Sequence, residues 1–359
     1  MLGSGFWSAM TIFGIPTALL KDLGLAGAVA TVVSALVTAI LATYLKKRAD
    51  REIEKLKSEL GHENKVKSAR VDYEYEARKR LYKEVEPILF AAQLAAKSLS
   101  GRLASFAERI RDGHITLDQS RNWLTIDSYF QQSTAYWIFL PMTYYRHLTR
   151  RISQFDLSLD PAIGKKFMIL GVFQSIPVAD FELAGMPAAK IVYEPYGEAA
   201  TAGRDSDPAR YCFQGIIRGD VERFTSMMMV ENDHMTPLEW FQFEREVAQE
   251  GSDLNKAYKP VRNILLNFHP VTHPVVWRAM IAYVLLSDFF NDARDCTLDE
   301  FDALAPASAW TQFDYRRPSD AIAEAIPRGH FEAARTYMRK KLAERFKTLD
   351  SLRDRAYAA

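Results

Sequence analysis

Between Leu23 and Leu45 the chain carries no charged side chain, and Lys46-Lys47-Arg48 follow at once. At about 1.5 Å of rise per residue, a helix over this run is long enough for a hydrocarbon core of roughly 30 Å. Few soluble folds need such a stretch, so the expected architecture begins with a transmembrane helix. Small residues recur in that run on two neighbouring rows, Gly27, Thr31, Ala35, Ala39, Thr43 and Ala26, Ala30, Ser34, Thr38, Ala42. Leu25, Val29, Val33, Val37 and Leu41 fill another row. Lipid tails solvate any apolar face, so a bare anchor needs no such sorting. A narrow face lets helix backbones approach closely and lets hydroxyls bond across an interface. Gly27, Thr31, Ser34, Ala35, Thr38, Ala39 and Thr43 are therefore the residues expected to face other helices or a pore.

Orientation follows from the basic residues. None precedes Lys21, whereas Lys46, Lys47, Arg48 and Arg51 crowd the far side, which predicts the N-terminus outside and the remainder cytoplasmic. A cleavable signal peptide fits less well, because the start lacks positive charge and the apolar run is too long. Residues 1–22, with Trp7, Phe13 and Pro16, read as an interfacial segment, with a re-entrant piece as the alternative. The 359 residues leave ample chain for a large cytoplasmic body. With 46 Lys+Arg against 45 Asp+Glu the net charge is +1, which argues against a generic nucleic-acid coat. The only cysteines, Cys212 and Cys296, form no disulfide framework or zinc spacing.

Residues 46–86 read as a charged helical stalk of coiled-coil character, with Ile53, Leu56 and Leu60 as a seam. A second stripe runs Val66, Ala69, Tyr73, Ala77, Leu81, Val85. Residues 87–359 read as an α-helical cytoplasmic domain with an irregular insert at about 176–210, so the fold class is mainly α. Pro87 kinks one helix or opens the next, which runs to about Arg111. Thr116-Leu-Asp-Gln119 predicts a helix from about Leu117 whose aromatic face includes Trp123, Tyr129, Tyr136 and Trp137, interrupted at Pro141. Thr236-Pro237-Leu-Glu239 predicts another helix start. Further helices are expected at about 164–175, 253–267, 274–292, 297–304, 318–326 and 328–355.

The search for chemistry finds no phosphate loop, dinucleotide fingerprint, zinc-protease pair or serine elbow, so no enzyme and no cofactor is expected. His269 and His273 are four apart, but Pro270 and Pro274 deny them one helix face, which points to a structural pair. Glu231, Asp233 and His234 beside Met227-Met228-Met229 read as a loop before a cap and a packing run. Tyr144-Tyr145-Arg146-His147 with Arg150 and Arg151, and Tyr315-Arg316-Arg317, place arginines among aromatic rings. Arg146, Arg150, Arg151, Arg316 and Arg317 are thus the candidates for an anionic ligand such as a nucleotide or oligonucleotide. Ion pairing with the domain's carboxylates explains the same arginines.

The segment Leu23–Arg48 with its charged stalk resembles the membrane effectors of bacterial anti-phage, abortive-infection-type systems, and the layout is similar to Hailong-type effectors. The resemblance covers about the first 90 residues as architecture, and no binding residue is carried over from it. It implies an oligomeric, ligand-gated, pore-forming membrane protein in antiviral defence, with the inner membrane and its own copies as partners. The alternative reading is a membrane-tethered scaffold or adaptor without a pore.

Overall fold

The computed structural model describes residues 46–48, 50–55, 57–58, 67–116, 122–125, 128–152, 156–185, 214–230, 236–270, 272–304 and 329–358. The chain divides into two units, Met1–Glu74 and Tyr75–Ala359. The described part of the first unit is helical and exposed, laced by the pairs Arg48–Glu52 and Arg70–Glu74. Among the described residues no helix is long and apolar enough to cross a membrane. The segment 23–45, with Gly27, Thr31, Ser34, Ala35, Thr38, Ala39 and Thr43, lies outside them.

The second unit is mainly α; among its described residues the only β pairing is an isolated bridge between Met229 and Pro237. After helical residues 75–84, Pro87 stands in the first turn of α1 (Glu86–Arg111), where its missing N–H costs nothing. α2 is Tyr129–Ile152, and α3, Pro161–Ser175, starts at an Asp160 cap that accepts from Ala162 and Ile163. The short α4 (Asp180–Ala184) ends at Gly185, whose φ of +72° suits glycine. Then come α5 (Arg218–Met227), α6 (Trp240–Ala248), α7 (Asp253–Leu265), α8 (Pro274–Asp292), α9 (Leu298–Leu304) and α10 (His330–Ala358).

α8 organises the unit. It is buried over most of Pro274 to Phe290, with only Arg278, Ala279 and Asp288 half-buried, as a helix with almost no wet face must be. α1, α3, α4, α9 and α10 pack around it. α2 forms a second centre, touching α1, α3, α5, α6 and α7. Aromatic rings knit that side: Phe139 meets Phe224 edge-on at 5.0 Å, and Tyr136 lies 5.2 Å from Phe243.

Several expectations change here. Pro141 does not interrupt α2; the helix runs through it, because burial on both sides of the proline outweighs the lost backbone bond. The helix expected from Leu117 is absent over 122–125. Trp123 instead donates its backbone N–H to His114 O at 3.1 Å. Asn122 pins the turn to the carbonyls of Thr116 and Phe268. Thr236-Pro237 is not a helix start either. Val230 N bonds Thr236 O at 2.8 Å and Leu238 N bonds Met228 O at 2.8 Å, holding the segment extended. The cap comes three residues later, where Gln242 Oε1 accepts from Glu239 N at 3.0 Å. A coiled-coil seam is not shown: Ile53 and Tyr73 are exposed, whereas Leu81 and Val85 are buried in the core of the second unit. The insert at 176–210 begins with a 3-10 turn (Ile176–Val178) and α4; its later part, 186–210, and the helix expected at 318–326 lie outside the described residues.

Candidate anionic-ligand site

Packing on both flanks fixes where the last turns of α2 point. On one side the Tyr145 ring stacks on Phe167 at 5.1 Å, and a Cβ on Gly171 would lie 3.2 Å from that ring, so only glycine lets α3 come this close. On the other, the Thr143 hydroxyl donates to Phe139 O at 3.0 Å and lies 3.7 Å from Met228 Sδ, closing α2 against the end of α5. Tyr145 is therefore half-buried against the core, with one ring face taken by Phe167. Tyr144 is half-buried, and burial pushes its phenol up.

Arg146, His147, Arg150 and Arg151 follow within the final two turns. Arg150 is exposed and Arg151 half-buried, and both hold contacts of their own. Two arginines in a last turn also complement the helix dipole, each worth about 0.3–1 kcal/mol. That accounts for part of the charge, but not for the two residues before them. Arg146 buries its Nε without a hydrogen-bond partner, and burial followed by Arg150 lowers its pKa against the opposing pull of Glu222. His147 is 5% exposed, and neither ring nitrogen has a partner. Burial, then Arg151 and Arg150, hold its imidazole down at about 4, so the ring is neutral and carries one N–H and one lone pair. An unpaired buried donor costs about 1–3 kcal/mol. His147 and Arg146 thus each hold an unsatisfied buried polar group in consecutive positions of α2.

Arg316 and Arg317 lie outside the described residues. His273 is buried just before α8 and shares a 2.8 Å contact with the Thr272 hydroxyl, in keeping with a structural role. Of the methionine run, Met228 and Met229 are buried and Met227 is exposed; Glu231, Asp233 and His234 lie outside the described residues. Among the described residues no group of three or more His, Cys, Asp or Glu is placed to hold a metal ion. The sequence offered Arg146, Arg150 and Arg151 through helical spacing, but gave no sign that His147 would be enclosed.

Compared with known proteins, the chain matches no family model, no curated protein and no solved structure.

Proposed function

We propose that this chain is an oligomeric, membrane-anchored effector whose cytoplasmic helical body answers to an anionic ligand, in bacterial antiviral defence. The observation that carries the reading is the sorting of small residues onto one side of the apolar segment 23–45. That side would pack copies against one another in the bilayer and form a pore when the body releases it. The arginines Arg146, Arg150 and Arg151 in the last turns of α2, with the unsatisfied Nε of Arg146 and the unpaired imidazole of His147 among them, support a ligand site in the body.

The test is expression of the full chain in bacteria, following entry of a membrane-impermeant dye and membrane cross-linking. Replacing Gly27, Ala35 and Ala39 together by leucine blocks close packing, so cross-linked oligomers and dye entry are both lost. Unchanged oligomers and dye entry in that variant refute the reading. Oligomers without dye entry in the parent chain refute the pore and leave a scaffold.

A further inference from the structure

Far from the arginine cluster in kind, an almost wholly apolar cavity of about 40 Å³ lies between α2, α4, α7 and α8. Ile138, Phe139, Ile176, Leu183, Ala279 and Met280 contribute to its wall, and the acid on its lining is Asp180. A water needs roughly 10–15 Å³ of such space, so the cavity has room for about three or four heavy atoms.

Asp180 is 5% exposed, yet among the described residues no cation pairs with it. Backbone N–H groups of Phe181, Asp180 and Gly215 bond its carboxyl, and burial outweighs them, so the acid is pushed up to about 7. Cations on neighbouring elements are committed elsewhere. On α10, Lys340 and Lys341 hold Glu182 at 3.1 and 2.8 Å. On α8, Arg278 donates to Leu183 O and to His330 Nδ1. Arg262 on α7 has interactions of its own. Gln214 is also spent: it donates to Thr272 O at 3.1 Å and accepts from Val275 N at 3.0 Å. Gly215 completes the enclosure, since a Cβ there would fall 2.8 Å from Asp180 Cγ. Among the described residues, no positive charge on a short aliphatic body meets this cavity.

We propose that the cavity bounded by Asp180 is a binding site for a small primary alkylammonium ion, its ammonium on the carboxylate and its carbons among the aliphatic side chains. Buried carboxylates are stable as anions only when paired, so a ligand that brings the missing cation gains where a neutral one does not. The site is separate from the arginine cluster, and its failure leaves the anion reading standing.

The experiment uses the full-length protein in mild detergent, titrated by calorimetry with n-propylammonium chloride and, separately, with 1-propanol of the same heavy-atom count. Saturable propylammonium binding is expected at pH 8. It falls about thirtyfold at pH 5.5, where most of the carboxyl is protonated, and 1-propanol binds at least tenfold more weakly throughout. Asp180→Asn abolishes binding. Ala279→Leu, which fills the cavity and keeps the carboxyl, also abolishes it and serves if Asp180→Asn does not fold. Equal affinity for 1-propanol, binding retained in either folded variant, or no propylammonium binding by the parent chain overturns the proposal.

Discussion

His330, the first residue of α10, supplies a sharp test of the packing around α8. It has no exposed surface, its Nδ1 accepts from Arg278 Nε at 3.1 Å, and its Nε2 has no partner. Burial first, then Arg278, hold the imidazole down at about 4 from an ordinary 6.5. The positive end of the α10 dipole acts in the same sense. A folded pKa below the unfolded one means that stability is complete above about pH 6.5 and is lost as pH falls toward 4. With each pKa step worth about 1.4 kcal/mol, the loss between pH 7.5 and pH 5 is about 2 kcal/mol for this one residue. His330→Gln keeps an acceptor for Arg278 and does not titrate. Urea unfolding of parent and variant at a series of pH values, followed by tryptophan fluorescence, gives the difference in stability. That difference shifts by about 2 kcal/mol in favour of the variant between pH 7.5 and 5, while His147 and the carboxylates cancel. Parallel pH profiles would show that His330 is solvated or paired in the folded state, and the reasoning would fail.

Asp180 carries the opposite sign. Its raised pKa means that stability is fullest below about pH 4 and declines until about pH 7, so Asp180→Asn gains on the parent chain as pH rises to 8 in thermal melts. Gly215→Ala forces a methyl to 2.8 Å from Asp180 Cγ and costs about 1–3 kcal/mol, read as a lowered urea midpoint with unchanged slope. Asn122→Ala removes its bonds to the carbonyls of Thr116 and Phe268 and to the Leu124 N–H; a loss of about 2 kcal/mol and faster amide exchange at Trp123 and Leu124 are expected. Inorganic phosphate bound at the arginine cluster should raise the His147 pKa, so imidazole titration followed by NMR moves up with phosphate in the parent chain and not in Arg146→Ala.

Elements whose signals are local were legible in the sequence. Pro87 opens α1, Pro274 opens α8 and the mostly apolar run behind it is largely buried, because proline geometry and near-continuous hydrophobicity need no tertiary information. The failures all involve a partner distant in sequence or a backbone pairing. Asn122 reaches Phe268, the Met229–Pro237 bridge overrides a good cap at Thr236, and the enclosure of Pro141 keeps α2 whole. Site residues divide the same way. Spacing alone put Arg146 and Arg150 on one side of a helix. Asp180 passed unnoticed, one acid among several in a stretch read as loop, since its meaning comes from the cavity and from Gly215 thirty-five positions on.

α8 is also a hazard that the fold has to manage. Its 19-residue length approaches that of a bilayer-spanning helix, yet it is not apolar enough to cross one. Arg278 and Asp288 break its apolar run, a charge at the centre of a spanning helix costing about 2.5–3.5 kcal/mol. Both charges then find work in the finished molecule, Arg278 on His330 and Asp288 on the Ser100 hydroxyl at 2.8 Å. Removing them would therefore bring the innermost helix nearer to a bilayer's preference as well as strip it of two contacts that seat it in the body.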